Sequence, residues 1–173
     1  WQTVASPLVV DADALNMLAA AGAGTSGSGP AAPSAEPFSA WPRRESATVL
    51  TPHPGEMARL CGLSVREVQR DRIGLARDFA LRHGVVLVLK GARTVVASPS
   101  GEVYVNTTGN PGMATGGTGD VLAGVIAALL AQGMDATAAA ALGVYMHGAA
   151  GDRAAAARTS PASLIAGDVV DWL

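Results

Sequence analysis

The chain has 173 residues, a length that suits one domain with a sizeable buried core. Its formal net charge is −2, and it lacks the clustered Lys and Arg of a nucleic-acid surface. No apolar run reaches the roughly 18 residues of a membrane span. The single cysteine, Cys61, excludes an internal disulfide. These properties predict a cytoplasmic protein that acts on small molecules, with no nucleic-acid or membrane partner.

The first residues, Trp1 to Ser6, contain no Met and no signal-peptide pattern. They lead almost directly into an apolar run that is typical of a buried strand. We therefore expect residues 1–173 to be the C-terminal portion of a single domain whose N-terminal part is missing.

The apolar run from Pro7 predicts a strand that ends in two acids, Asp11 and Asp13, before a helix from Ala14. Continuous apolar runs are typical of parallel strands covered on both faces. Each acid could cap the helix or lie near a ligand, since open α/β sheets bind ligands at the carboxyl ends of their strands. Residues 22–46 are rich in Gly, Ser, Pro and Ala and predict a surface excursion without chemistry.

Residues 48–50 resume a strand, and a Pro–His–Pro sequence around His53 follows it. Two prolines restrict the backbone and present the imidazole in one direction. A lone histidine is usually structural, but this rigid setting at a strand–helix junction favours a contact residue. Glu56 then begins a helix.

A capping box of Ser64 and Glu67 predicts an amphipathic helix that ends at Gly84. Its arginines are expected to form a solvated face: Arg66, Arg70, Arg72 and Arg77. Residues 85–89 form the clearest buried strand and end in Lys90, the only lysine, where a phosphate or ribose would lie. Residues 94–97 and 102–105 predict a hairpin.

The stretch from Thr107 to Asp120 is rich in glycine and opens the apolar helix of residues 121–132. Helix N-termini favour anions, and glycine lets the backbone come close to a ligand. The glycines are Gly109, Gly112, Gly116, Gly117 and Gly119. A structural turn with Asp120 as N-cap is the plain alternative, but so many glycines favour an anion site in which Asp120 is a cap or a base.

An alanine-rich helix over residues 135–157, interrupted near Gly143 and Gly148, and a last helix over residues 161–173 complete the chain. His147 is expected to be structural. The alternation of strands and helices predicts an α/β three-layer sandwich, with a mainly parallel sheet and helices on both faces.

Four segments together carry a family resemblance: residues 10–16, 51–56, 89–91 and 109–120. In this order they resemble the ADP-dependent NAD(P)H-hydrate dehydratases of the ribokinase-like superfamily. Such enzymes are cofactor-repair enzymes that remove water from hydrated NADH or NADPH, called NAD(P)HX, at the expense of ADP or ATP. The resemblance implies a ribokinase-like fold, dehydration through a phosphorylated intermediate, and Mg²⁺.

The resemblance also implies roles for individual residues. Asp120 would be the catalytic base and would also contact the substrate. The substrate would further contact His53 and Asn110. The anion hole would comprise Gly116, Gly117, Thr118 and Gly119, and the nucleotide would contact Lys90, Gly91, Ala92, Arg93, Thr94 and Gly119.

The resemblance also implies a homo-oligomer, which in this family is a tetramer, and a fused or separate NAD(P)HX epimerase. It leaves the metal ligands unknown. Two alternatives stay open. A ribokinase-type small-molecule kinase would share the anion hole and base, although the sequence around His53 favours the dehydratase. A nucleotide-binding module without catalytic activity would share only the glycine-rich loop with these enzymes.

Overall fold

The computed structural model describes residues 3–23, 44–158 and 160–173. Most of the predicted surface excursion at residues 22–46 lies outside the described residues. None of the helices in the described part of the chain combines the length and the apolar character that a bilayer crossing requires.

Within the described residues, five short strands form one sheet, in which spatial order follows chain order. The strands are β1 (Leu8–Val10), β2 (Thr48–Leu50), β3 (Val86–Leu89), β4 (Val95–Ala97) and β5 (Val103–Val105). The first three pair in parallel, and the last two add as an antiparallel hairpin. The hairpin that the sequence predicts is therefore present, beside a parallel portion whose carboxyl ends share one edge.

Seven α-helices lie in the described ranges. They are α1 (Ala12–Ala23), α2 (Pro54–Cys61), α3 (Val65–Arg70), α4 (Arg72–His83), α5 (Thr118–Ala131), α6 (Ala136–Ala156) and α7 (Ala166–Asp171). Two short 3₁₀ turns, Pro111–Met113 and Pro161–Ser163, precede α5 and α7.

Strand β3 shows how the sequence makes three layers. Its side chains alternate between faces, so Leu87 and Leu89 join one apolar cluster while Val86 and Val88 join another. The first cluster includes Leu15 of α1, Met57 of α2 and Phe79 of α4, and the second includes Ile126 of α5 and Val144 of α6. Burying each such side chain contributes about 1.5–3 kcal/mol. The predicted three-layer sandwich with helices on both faces is confirmed.

The single helix predicted from Ser64 to Gly84 is wrong in its continuity. The Ser64–Glu67 capping box and the left-handed Gly84 end are present. However, Asp71 leaves the helical conformation at φ −145° and ψ 77°, and its Oδ1 accepts a hydrogen bond from the Gly74 amide at 2.8 Å. Asp side chains that bond the following amides compete with helix propagation. Asp71 therefore ends α3 and begins α4.

The predicted interruptions near Gly143 and Gly148 are also wrong, because α6 is continuous. These glycines allow close approach instead. A Cβ on Gly143 would lie 2.8 Å from Ile126 Cγ1, and one on Gly148 would lie 2.2 Å from Thr108 Oγ1. Gly143 thus packs α6 on α5, and Gly148 packs α6 on the glycine-rich loop.

Candidate active site

Charged side chains converge at the carboxyl edge of the parallel strands. Asp11 follows β1, Glu56 lies in the helix after β2, and Lys90 follows β3. Lys90 Nζ lies 2.7 Å from Asp11 Oδ1 and 4.0 Å from Glu56 Oε2. The exposed fractions of these side chains are 19% for Lys90, 12% for Asp11 and 7% for Glu56. A largely desolvated cation thus lies between two carboxylates, and of the two acids that follow β1 it is Asp11 that reaches it.

His53 and Glu56 form a capping box at the start of α2. His53 Nδ1 accepts a hydrogen bond from the Gly55 amide at 2.9 Å, so the neutral imidazole carries its proton on Nε2, which lies 3.3 Å from Glu56 Oε1. Glu56 Oε2 in turn accepts a hydrogen bond from the His53 amide at 2.8 Å. Since the His53 side chain is 49% exposed, the box fixes a solvent-facing imidazole beside the charged cluster.

The glycine-rich turn opens α5 without a side-chain cap. Gly117 is the N-cap, with φ at +88°, and it makes no side-chain capping bond. The first amides of a helix lack intrahelical acceptors and favour an anion. A Cβ on Gly116 would meet no described atom within 4 Å, so the turn is open there. Of the two roles considered for Asp120, N-cap and base, the first is wrong, because Asp120 lies exposed in the first turn of α5.

Gly119 brings this turn to the charged cluster. A Cβ added to Gly119 would lie 3.3 Å from Lys90 Nζ and 3.7 Å from Asp11 Oδ2. The start of α5 and the end of β3 therefore meet, although many residues separate them in sequence. The predicted anion hole and the predicted nucleotide segment therefore meet at Gly119 and Lys90.

Thr118 uses its hydroxyl inside the protein. The residue is buried, and its Oγ1 donates hydrogen bonds to the carbonyls of Met113 and Thr115, both at 2.8 Å. One hydrogen is shared between these two acceptors. The hydroxyl thus folds residues 113–118 into a compact turn, and the amide is the group that Thr118 can offer an anion.

The Asn110 side chain also makes its hydrogen bonds within the protein. Its Nδ2 donates to the Gly151 carbonyl at 2.9 Å and to Asp152 Oδ1 at 3.0 Å, while its Oδ1 accepts from the Gly112 amide at 3.0 Å. Asp152 Oδ2 also accepts from the Gly109 amide at 2.8 Å. Asp152 therefore docks the loop onto α6, a role that sequence reasoning missed because the carboxylate follows the loop by about 40 residues.

His147 of α6 is buried, with 9% of its surface exposed. Burial lowers its pKa below the usual 6.5, a hydrogen bond with the Thr118 backbone raises it, and the nearby Lys90 charge lowers it further. Its Nε2 has no hydrogen-bond partner among the described residues. The expected structural role fits this burial, but no local pattern around His147 indicated that it would lie against the start of α5 at Thr118.

The turn of residues 90–94 connects β3 to β4 and carries two left-handed residues, Gly91 at φ +140° and Arg93 at φ +57°. Thr94 Oγ1 donates to the Gly91 carbonyl at 3.1 Å. Arg72 crosses from α4 and donates to the carbonyls of this turn. Its predicted place on a solvated face is therefore wrong, because its guanidinium finds main-chain acceptors that the arginine spacing could not reveal.

Within the described ranges, no group of three or more His, Cys, Asp or Glu side chains could hold a metal ion. Mg²⁺ commonly binds through one or two carboxylates, water and substrate phosphates, without a cage made by protein alone. Asp11 offers carboxylate oxygens near Gly119 and Glu56 offers them near Lys90, and this donor set fits an ion carried by phosphates.

The fold and the site together define a ribokinase-like α/β domain. A Bacillus subtilis ADP/ATP-dependent NAD(P)H-hydrate dehydratase, co-crystallised with ATP/Mg²⁺, superposes with a TM-score of 0.80 at 35% identity, covering 99% of this chain and 54% of that one. A ribokinase-like superfamily protein from Enterococcus faecalis gives a TM-score of 0.67 at 28% identity over 95% of this chain and 52% of its own.

The NAD(P)H-hydrate dehydratase family model matches residues 1–170, and the chain belongs to that family. It is 52% identical over 168 residues to a bifunctional NAD(P)H-hydrate repair enzyme of Moorella thermoacetica, covering 96% of this chain and 28% of that protein. An ADP-dependent (S)-NAD(P)H-hydrate dehydratase of Neisseria meningitidis is 43% identical over 170 residues, covering 96% and 53%. The chain thus spans about half of a monofunctional relative and about a quarter of a bifunctional one.

Proposed function

We propose that this domain dehydrates the S epimer of NAD(P)HX to NAD(P)H, with ADP converted to AMP and phosphate. The observation that carries the proposal is the meeting of Gly119 with Lys90, which joins an amide-rich helix start to a cationic strand end. Family membership and the names of the Neisseria and Bacillus relatives support the choice of substrate.

The proposed chemistry has two steps. The hydroxyl oxygen of the hydrated ring attacks the terminal phosphorus of ADP, an O–P bond forms, and the bond to the bridging oxygen breaks to release AMP. The ring C–O bond of the phosphate ester then breaks, phosphate leaves with the electron pair, and the neighbouring C–H proton passes to water as the double bond forms. Phosphorylation thus turns a poor leaving group into a good one.

Asp120 would take the hydroxyl proton in the first step. Its carboxylate is exposed in the first turn of α5, one residue beyond the amide of Gly119. Removal of a well-placed base typically lowers the rate 10²- to 10⁴-fold. His53, held by Glu56, would contact the hydrated dinucleotide.

The amides of Gly116 through Gly119 would face the transferred phosphoryl group. Fixed donors of this kind stabilise the charge that develops during transfer, and they need no reorganisation. Lys90 would contact the remaining phosphate, with its charge balanced by Asp11 before the nucleotide binds. Gly91, Ala92, Arg93 and Thr94 would line the rest of the nucleotide.

Mg²⁺ bound to the nucleotide would neutralise phosphate charge, and the Bacillus relative was co-crystallised with ATP/Mg²⁺. Asp11 and Glu56 would supply its protein oxygens. A homo-oligomer, a tetramer in keeping with the family, and a fused or separate NAD(P)HX epimerase belong to the same proposal. The bifunctional Moorella relative supports the epimerase.

The deciding experiment incubates the protein with NADHX, ADP and Mg²⁺ and follows NADH absorbance and AMP together. The proposal predicts that one AMP and one phosphate form for each NADH. A stable phosphorylated alcohol without NADH would indicate a ribokinase-type kinase. ADP binding without any product would indicate a nucleotide-binding module.

A further inference from the structure

We infer that Arg72 is the positioning residue of the turn of residues 90–94, and that it orients this turn so that the amides of residues 91–93 are presented to ADP. The inference rests on the proposed function and deepens it. It assigns Arg72 no contact with the nucleotide.

The geometry is that of a three-point clamp. Arg72 Nη1 donates to the Ala92 carbonyl at 2.6 Å, and Nη2 donates to the carbonyls of Leu89 at 2.9 Å and Lys90 at 3.1 Å. A guanidinium presents several donors in one rigid plane, so it can hold several carbonyls at once. An ammonium at the same place is a compact donor on a flexible stem and cannot span them.

The clamp is also partly desolvated. Burial lowers the pKa of Arg72 from its usual value, and its Nε is buried with no hydrogen-bond partner among the described residues. A cation in such a place is retained where its hydrogen bonds offset the lost hydration. The contacts therefore constrain the turn more firmly than an exposed arginine would.

The turn needs such a constraint because its backbone is unusual. Arg93 has φ at +57°, a region that non-glycine residues rarely occupy. Gly91 has φ at +140°, and a Cβ there would lie 3.1 Å from Arg72 Nη2. Glycine at position 91 thus allows both the backbone angle and the close approach of the guanidinium.

The consequence lies in which groups of the turn remain available. Arg72 occupies the carbonyls of Leu89, Lys90 and Ala92, whereas the amides of residues 91–93 donate no hydrogen bond within the described part of the chain. Successive unpaired amides in a turn with left-handed residues are suited to bind phosphate oxygens. By binding these carbonyls, Arg72 leaves the amides of residues 91–93 free to face the nucleotide.

The place of Arg72 follows from the break between α3 and α4. Asp71 caps α4, so Arg72 is the first residue of that helix, and it reaches carbonyls at the end of β3 about 17 to 20 residues later. An uninterrupted helix through Asp71 would alter the backbone from which Arg72 projects. The Asp71 cap thus fixes the backbone position from which Arg72 reaches the turn.

The test compares Arg72→Lys with Arg77→Lys. Arg77 lies on the same helix, and among the described residues its one ion pair is the exposed pair with Asp78, so its variant is the matched control. For Arg72→Lys we expect ADP binding by calorimetry to weaken by roughly tenfold or more, because charged hydrogen bonds to the turn are lost. We expect the KM for NADHX to change less than about twofold, since that part of the site is untouched.

Backbone ¹⁵N relaxation of residues 91–93 in the free protein gives a readout that needs no ligand. The inference predicts lower order parameters, and therefore larger backbone motion, in Arg72→Lys and no change in Arg77→Lys. Unchanged ADP affinity, or equal losses of ADP and NADHX affinity together with a lower Tm, would overturn the inference and leave the proposed function standing. Failure of the wild type to bind ADP would overturn both.

Discussion

Lys90 and Asp11 form an ion pair of 2.7 Å between residues 79 positions apart in the chain. The pair joins the ends of β1 and β3, and Glu56 after β2 lies within 4.0 Å of the same ammonium. Charged residues that follow three different strands thus meet at the edge of the sheet where Gly119 of the glycine-rich turn lies. The pair is mostly shielded from water, so its two members depend on each other.

Removal of one member should therefore cost more than removal of both. Asp11→Asn leaves the Lys90 ammonium poorly compensated, and we expect the free energy of unfolding to fall by about 1–3 kcal/mol, somewhat below the range for fully buried pairs. Asp11→Asn combined with Lys90→Met should recover part of that loss. Urea unfolding of the four species measures the coupling energy, and strictly additive losses would contradict a mutually dependent pair.

Asp120→Asn should separate chemistry from binding. The variant keeps the shape of the helix start but cannot accept the hydroxyl proton, so we expect NADH formation to fall about 10²- to 10⁴-fold. ADP affinity measured by calorimetry should change little, because the amides and Lys90 are untouched. Retention of full turnover would exclude Asp120 as the base.

Asp152→Ala should release the loop from α6. The change leaves the Gly109 amide without its acceptor and removes one of the two acceptors of Asn110 Nδ2, which we expect to lower the free energy of unfolding by about 1–3 kcal/mol. Exposed Asp78→Ala is the control and should stay within about 0.5 kcal/mol of wild type. Equal effects of the two substitutions in urea unfolding would show that the docking contributes nothing.

His147 should make stability depend on pH. Its folded-state pKa is lowered chiefly by burial, so the unfolded chain binds a proton at pH values where the folded chain does not. The contribution of His147 to the free energy of unfolding is complete above about pH 6.5. It is lost as the pH falls toward the folded-state pKa, with a slope of at most about 1.4 kcal/mol per pH unit. His147→Gln should remove this part of the slope in urea unfolding at a series of pH values, and an unchanged slope would refute the assignment.

The sequence predicted those features whose signals are local. The alternation of apolar residues in β3, the Ser64–Glu67 box and the glycine-rich stretch each place their own residues, because capping and strand periodicity act over a few positions. The same holds for the hairpin of β4 and β5. These features sufficed for the fold class.

The contacts that complete the site depend on tertiary packing and left no local pattern. In the sequence, Arg72 cannot be distinguished from the other arginines of its charged helix. Only the tertiary fold brings the turn of residues 90–94 within reach of its guanidinium. Asp152 and His147 sat in an alanine-rich helix whose glycines suggested breaks, although those glycines permit close packing. Asn110, expected to contact substrate, makes its hydrogen bonds to the protein.

We propose that the amides of Gly116–Gly119 and the ammonium of Lys90 together hold the phosphates of a nucleotide. A crystal structure of this chain soaked with ADP would locate those phosphates. We expect phosphate oxygens within hydrogen-bond distance of the Gly116–Gly119 amides and of Lys90 Nζ. A nucleotide bound elsewhere, or a turn closed by protein atoms with no space for phosphate, would contradict it.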